Sequence, residues 1–351
     1  MTRDPFQSTE LIEVHVNSYV GRSTGAGGLS IWTHHIKGTE YVDYHDPHYD
    51  GPAFKLGAGV QGFEAYAAAD KKGLVIVGGE CDTVGPVGGY TQGGGHSALS
   101  SKFGLAADQT LEWEVVDGRG RLLRASRTEN TDLYWALSGG GPSTYGAVYS
   151  LTVRVYQDFP VTGVVLNFSS NGIPVDTYYQ AVGEFHKYLP TFTAAGGMVI
   201  GAISNTSFLM TPLTLPNTTA AEAASLIQPF TNELTRHGIL YDTNITTFPN
   251  YLQHYMTLIQ PNPTQLVENG QYGGHLIPLS VIEENNSGLT AAVRKIAGDG
   301  TSFVTIGINV SSSVVGDVYN AAYPPWRTAA MDVILASYVS SSVVLPSSTH
   351  P

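Results

Sequence analysis

The chain carries one cysteine, Cys81, in 351 residues. No intramolecular disulfide is possible, and a zinc site built on several thiolates is excluded. Charge is also scarce. Asp, Glu, Lys and Arg make up 13% of the chain, about half the ~25% usual for a soluble domain. Lys+Arg 17 against Asp+Glu 29 leaves a net charge of −12 without a basic cluster. Nucleic-acid phosphates and anionic membrane surfaces are therefore poor partners. No run of 18 apolar residues occurs, so no transmembrane helix is expected. The opening MTRDPFQSTELIEVHVNSYV has no basic stretch followed by an apolar core, and no signal peptide is read in it. No carboxylate–histidine spacing indicates a metal, and no internal repeat or heptad is found.

What remains is enough for a core. Hydrophobic residues make up 42%, which excludes a disordered chain, and the length fits two domains or one large one. Composition changes near residue 157. Residues 1–157 read as short strands and turns (LSIWTHH, AFKLGAGV, GLVIVGG, AVYSLTVRVY) with a hairpin of Leu111–Val116 and Arg121–Ala125 about Asp117-Gly118. Helices are expected at Gly62–Lys72 and Thr131–Leu137. Residues 158–351 carry amphipathic helices at Val175–Tyr188 and Thr219–His237, a strand pair around Asn205, strands in SFVTIGINVSSS and HLIPLSVI, and a helix at Leu289–Ala297. The layout is α+β, with helices laid on one face of paired strands.

Gly 40 is about 11% of the chain, against ~7% usually, and the glycines cluster. Gly78, Gly79, Gly85, Gly88, Gly89, Gly93, Gly94 and Gly95 fall in one loop with no Asp, Glu, Lys or Arg between Asp82 and Lys102. Backbone this bare approaches a ligand closely and lets amide groups converge on it. Neither a phosphate loop ending in Gly-Lys-Ser/Thr nor a strand–GxGxxG–helix unit is present. Further clusters lie at Gly139–Gly141 with Gly146 and at Gly21–Gly28. Three such loops point to a large cofactor held mostly by backbone. Six Asn-X-Ser/Thr sequons, at Asn167, Asn205, Asn217, Asn244, Asn285 and Asn309, favour a secretory route.

Four strings carry a resemblance: GRSTGAGGLSIWTHHIKG, LGAGVQGFEAYAAA, VGGECDTVGPVGGYTQGGGHSALSSKFGLAADQTLEWEVVDGRGRL and TENTDLYWALSGGGPSTYGAVYSLTVRVY. They resemble FAD-linked oxidases of the vanillyl-alcohol oxidase superfamily, and most of all the fungal berberine-bridge-enzyme-like group. QYGGHLIPLSVIEENN and YPPWRTAAMDVIL extend the likeness more weakly over essentially the whole chain. The resemblance implies an α+β protein in two parts. A PCMH-type FAD-binding domain, incomplete at its N-terminus, would occupy residues 1–157. An α+β substrate domain with a large antiparallel sheet covered by helices would occupy 158–351, its C-terminal part missing.

The resemblance also implies site residues. Cys81 takes the position of a thioether to flavin C6. Thr83, Val84, Gly85, Gly88, Gly89, Gly93, Gly94 and Gly95 line the isoalloxazine and its ribityl path, and Gly146 to Val148 offer backbone contacts. The family's Gly-His pair falls on Val16 and Asn17, so its histidyl link to the flavin 8α-methyl is absent, and His15 lies too far along the strand to replace it. Tyr323 stands near relatives' acid–base residues, His275 stands where an arginine is expected, and His34 and His35 are structural. The implied function is oxidation of a small alcohol, sugar or secondary metabolite by hydride transfer to flavin N5, with reoxidation by O2. The partners are then a small molecule and O2, with no nucleic acid and no membrane, and the expected state is a secreted monomer. A degenerate relative without turnover and a non-redox cyclase or binding protein are the alternatives, motivated by Val16, Asn17 and the unmatched ends.

Overall fold

The computed structural model describes residues 8–11, 29–142, 145–260 and 270–338. Val16, Asn17, His15 and the Gly21–Gly28 loop lie outside the described residues, as do Ser143, Thr144 and the tail from 339.

Two antiparallel sheets organise the chain. The first has five strands, Thr39–Asp46 (β1), Tyr49–Gly57 (β2), Thr110–Val116 (β3), Leu122–Ser126 (β4) and Ala147–Arg154 (β5), in the order β1-β2-β5-β3-β4. Its hairpins are closed by aspartate turns. Asp46 accepts the amides of His48 and Tyr49, and Asp117 accepts those of Arg119 and Arg121. Helix Gly62–Asp70 (α1) starts where the Glu64 carboxylate accepts the Gln61 amide at 2.9 Å. The helix expected at Thr131–Leu137 (α2) has those bounds. The expected strand in GLVIVGG shrinks to Leu74–Val75, paired with Tyr156–Gln157; from Ile76 the chain leaves the ladder for the glycine loop.

The second sheet has seven strands: Val161–Ser169 (β6), Met198–Ile203 (β7), Ser207–Pro216 (β8), Tyr241–Phe248 (β9), Gly270–Pro278 (β10), Ser302–Gly307 (β11) and Ala329–Tyr338 (β12). Their order is β9-β6-β8-β7-β11-β12-β10. Helices Val175–Ala194 (α3), Ala220–Arg236 (α4) and Leu279–Gly298 (α5) cover one face. Helix α3 runs past the expected Tyr188 and through Pro190, because Leu189 and Phe192 complete its buried face. Burying such side chains contributes about 1.5–3 kcal/mol each, enough to offset the lost hydrogen bond. Helix α4 begins at a capping box between Thr219 and Glu222. The expected strand HLIPLSVI is half right: β10 ends at Pro278, and Leu279 opens a helix that kinks at Asn285 before the expected Leu289–Ala297 stretch. A short apolar run does not by itself separate strand from buried helix.

Two large buried clusters result, beside a small one of Tyr44, Ala53 and Leu111. One lies between the second sheet and its helices, centred on Phe185, Phe208 and Phe230. The other holds Leu56, Trp113 and Leu151 of the first sheet, and it also takes in Met198, Tyr255, Ile306 and Ile308 from the second half of the chain. The two halves are further joined by a buried ion pair. Arg327 donates to both oxygens of Asp108, at 2.7 and 2.9 Å. Asn320 and the Leu105 amide donate to the same carboxylate, whose side chain is 2% exposed.

Removing one partner of such a pair leaves a buried charge uncompensated. Asp108→Asn should therefore cost about 3 kcal/mol in urea unfolding, and its effect should not add to that of Arg327→Met. Additive losses would show that the two do not act together.

Two buried histidines give a second test. His186 meets Thr305 at 3.0 Å and His254 meets Thr214 at 3.4 Å. Burial lowers them to about 3 and about 4. The unfolded chain protonates near pH 6.5, so their contribution to stability is complete above about 6.5 and declines as the pH falls from there towards 4. Urea midpoints should drop over that range, and the double variant His186→Gln, His254→Gln should show a shallower drop; an unaltered slope would refute the assignment.

Candidate active site

The glycine loop starts where Leu74–Val75 ends. It passes Gly78 to Gly85, makes a wide helical turn over Pro86–Tyr90, and returns through Gly94 and Gly95 at φ +111° and +75°. At two positions a side chain would run into a tyrosine ring. A Cβ on Gly78 would strike the Tyr66 phenol, and one on Gly95 would stand 2.8 Å from the Tyr90 ring.

The carbonyls of residues 79–84 are all engaged by hydrogen bonds within the protein. Tyr66 Oη donates to Gly79 O at 2.6 Å and Tyr255 Oη to Glu80 O at 2.9 Å. The Val84 amide donates to Cys81 O, the Phe63 amide to Asp82 O, Gln61 Nε2 to Thr83 O, and the Gly62 amide to Val84 O. Six consecutive carbonyls, from 79 to 84, are thus satisfied. The matching N–H groups are not: those of Gly79, Glu80, Asp82 and Thr83 donate to no acceptor among the described residues. Backbone donors rarely stay unmatched in a partly buried segment. A row of them suits the carbonyl, ring-nitrogen and phosphate acceptors of a flavin nucleotide. The small cavity of about 10 Å³ bordered by Tyr66, Gly78, Val84 and Tyr90 holds one water at most, so the fit for a flavin rests on these donors.

The tyrosines are fixed as donors. Burial, reinforced by the Glu80 charge and by one another, pushes Tyr66, Tyr90 and Tyr251 far above their ordinary range, and burial with Asp82 does the same to Tyr255. Tyr90 donates to His96 O at 2.7 Å. His96 Nδ1 lies 3.4 Å from Glu80 Oε1, an ion-pair contact without hydrogen-bond alignment. Burial pulls this imidazole down, but the Glu80 charge and contact, helped by Asp332, outweigh it and raise it to about 9.

The sequence-derived residues fall as follows. Cys81 is partly buried and in no disulfide. Thr83 and Val84 are partly buried beside it, and Gly85 and Gly88 are buried. Gly89 faces Pro142. Gly93 and Gly94 donate their amides to Gly89 O and Thr91 O, and the carbonyls of Gly94 and Gly95 receive the amides of Ala107 and Ala106. Gly146 packs against Val115 and Val116, where a Cβ would not fit. The Val148 side chain enters the core. Tyr323 is 64% exposed at the start of the Pro324–Arg327 turn. His275 is exposed on β10, while His34 and His35 pack round Trp32 with ring centroids 5.6 and 4.5 Å away. Sequence reasoning missed Glu80, His96, Asp332 and the tyrosines behind the loop. The one available signal was the Glu80-Cys81-Asp82 run inside an otherwise uncharged glycine segment.

A bare backbone loop with four unmatched amides, in a chain built on a five-stranded and a seven-stranded antiparallel sheet, fits a flavin-binding protein. The sequence matches the profile of the FAD binding domain over residues 16–126. It is 63% identical over 321 residues to the FAD-linked oxidoreductase patO of Aspergillus clavatus, covering 92% of this chain and 56% of that protein. It is 45% identical to the FAD-linked oxidoreductase sthB of Phaeosphaeria nodorum over 248 residues, 70% of this chain and 79% of that one. The fold superposes on the VAO-type flavoprotein MtVAO615 from Myceliophthora thermophila with a TM-score of 0.86 at 38% identity, over 95% of this chain and 61% of that one. Berberine bridge enzyme from Eschscholzia californica shares the fold at a TM-score of 0.70 and 17% identity. The chain belongs to the FAD-linked oxidoreductases of the VAO-type flavoprotein family, and it has the PCMH-type FAD-binding fold. It spans 56% of the length of patO and 61% of MtVAO615.

Gly78→Ala should cost about 1–3 kcal/mol through overpacking, read as a lower thermal midpoint, and Tyr66→Phe in the same chain should recover part of that loss. A Gly78→Ala protein with wild-type stability would show that the phenol does not fix the loop.

Proposed function

We propose that the chain forms the cofactor- and substrate-binding region of an FAD-dependent oxidase of a small alcohol, sugar or secondary metabolite. Residues 1–157 hold FAD and residues 158–351 form the substrate side. The observation that carries this reading is the loop whose carbonyls 79–84 are all engaged while the amides of Gly79, Glu80, Asp82 and Thr83 meet no acceptor among the described residues. When bound, FAD supplies the hydride acceptor, and O2 regenerates its oxidised form. The protein's part is to seat the ring on the amides of Gly79, Glu80, Asp82 and Thr83, with Gly85, Gly88, Gly89, Gly93, Gly94 and Gly95 as the adjoining bare wall. Gly146 and Val148 contribute backbone, and the Cys81 thiol forms the single thioether. Tyr323, on the turn beside the second sheet, is retained as an acid–base group from the family likeness. Exposure of Asn167, Asn205, Asn217, Asn244 and Asn285 supports glycosylation on a secretory route, and no helix among the described residues is long and apolar enough to cross a bilayer.

Purified protein should show the flavin absorbance bands, and the colour should stay with the polypeptide after acid precipitation. In Cys81→Ala the flavin should move entirely to the supernatant. A folded, colourless protein that takes up no added FAD overturns the reading, and colour retained in precipitated Cys81→Ala overturns the thioether.

A further inference from the structure

The five- and seven-stranded sheets have four edge strands between them. An edge offers its spare N–H and C=O groups to any other strand, and natural edges are blunted by charge, proline, irregularity or shortness. Three of the four follow that rule. Strand β1 carries Glu40, Asp43 and Asp46. Strand β4 has five residues with Arg124 at its centre. Strand β10 contains Gly270, Gly273 and Gly274 and ends at Pro278. Strand β9, the remaining edge of the seven-stranded sheet, has none of these devices. It runs for eight residues, YDTNITTF, with Asp242 as its one charge. It pairs with β6 in unbroken register from Tyr241 to Phe248, and no strand among the described residues pairs with its outer side. Its threonines, isoleucine and aromatics favour strand pairing. Asp242, Thr243, Asn244, Thr246 and Thr247 are all exposed.

What β9 does carry is a sequon at its centre, Asn244-Ile245-Thr246. Of the six sequons it alone lies on an edge strand of either sheet. Tyr241 and Ile245 pack against the core beneath the helices, so by alternation Asn244 stands on the opposite face. Its Oδ1 accepts the Thr246 hydroxyl at 3.1 Å, and its Nδ2, the atom a glycan joins, has no acceptor among the described residues. Resting on the secretory route given above, we propose that Asn244 carries an N-linked glycan and that this glycan keeps β9 from pairing with β9 of a second copy of the chain. In the transfer, Nδ2 bonds to the anomeric carbon of a diphosphate-linked oligosaccharide donor. The bond from that carbon to the diphosphate oxygen breaks with its electron pair leaving on the diphosphate, and one amide proton is released.

Geometry gives the glycan its effect. Two identical edge strands pair antiparallel about a two-fold axis, and residues opposite one another share a face. The registers of fullest overlap therefore set Asn244 opposite Asn244, or Asn244 opposite Thr246. The two Asn244 side chains then stand about 4.5–5.5 Å apart in the first register and about 7–8 Å apart in the second. Branched, hydrated glycans rooted so close exclude each other from the same space. The bare strand has no such obstacle.

The test uses the full chain, secreted from yeast behind an added leader and also made in bacteria that attach no such glycan. Enzymatic deglycosylation of the secreted protein in oxygen-18 water should label position 244, and a secreted protein unlabelled there overturns the assignment. Sedimentation velocity then compares three variants at one exposed position. Thr246→Ser keeps the sequon and should stay monomeric when secreted, as wild type does. Thr246→Ala loses it and should sediment at about twice the monomer mass or more, and Asn244→Gln should repeat that result from the other end of the sequon. Thr246→Lys loses the glycan equally but puts a charge on the edge and should remain monomeric. A Thr246→Ala protein as monomeric as wild type overturns the shielding, and a Thr246→Lys protein that self-associates like it places the contact elsewhere and overturns the edge assignment. From bacteria, wild type should self-associate and Thr246→Lys should not; a monomeric bacterial wild type overturns the shielding. A native chain found to stay inside its cell defeats the secretory reading and the glycan with it, and the bacterial pair then reports separately on the edge.

Discussion

The polarity of one short stretch of peptide governs this structure. Each peptide unit has an acceptor end and a donor end, and between Gly79 and Val84 every acceptor end is taken up by the protein interior. The groups that do this come from three places: helix α1 and its cap, the loop itself, and Tyr255 from the second half of the chain. With the carbonyls anchored, the amides of Gly79, Glu80, Asp82 and Thr83 are left without an acceptor among the described residues. Glycine is required at Gly78 because the anchoring phenol of Tyr66 fills the space a side chain would use. The bare backbone is therefore set as much by what lies behind it as by any ligand in front.

That arrangement needs the two halves to keep their relation. Tyr255 reaches Glu80 from across the molecule, and Ile306 and Ile308 complete the core of the first sheet. The Asp108–Arg327 pair adds direction to this apolar contact. Its carboxylate also receives Asn320 and the Leu105 amide, so every strong acceptor position is occupied. A charged pair so fully hydrogen-bonded fixes geometry more than it adds stability. The geometry it fixes sets the Pro324–Arg327 turn, and with it Trp326, beside His96.

Much of the framework was legible in the sequence because its signals are local. Thr131–Leu137, the hairpin around Asp117, the strand pair about Asn205 and the Thr219 cap are each specified within about ten residues. The glycine loop stood out for the same reason, since its composition is its message. The misreadings have physical causes of their own. Ile277-Pro278-Leu279 is an apolar run that serves as strand on one side of the proline and helix on the other. Helix α3 continues through Pro190 because tertiary burial outweighs a local rule. The chemistry around the loop was illegible because it is assembled from remote segments. Glu80, His96 and Asp332 have no spacing that announces them, and the tyrosines that hold the loop carbonyls are separated by nearly two hundred positions.

The neighbourhood of His96 has an optical side. Trp113 is fully buried and Trp32 and Trp135 are largely exposed, whereas Trp326 lies tilted by 35° against the imidazole. A protonated imidazole quenches indole emission and a neutral one does so far less. The junction between loop and sheet therefore contains its own fluorophore, whose emission should rise as alkali strips the proton from the ring, with the fully buried Trp113 as an internal reference.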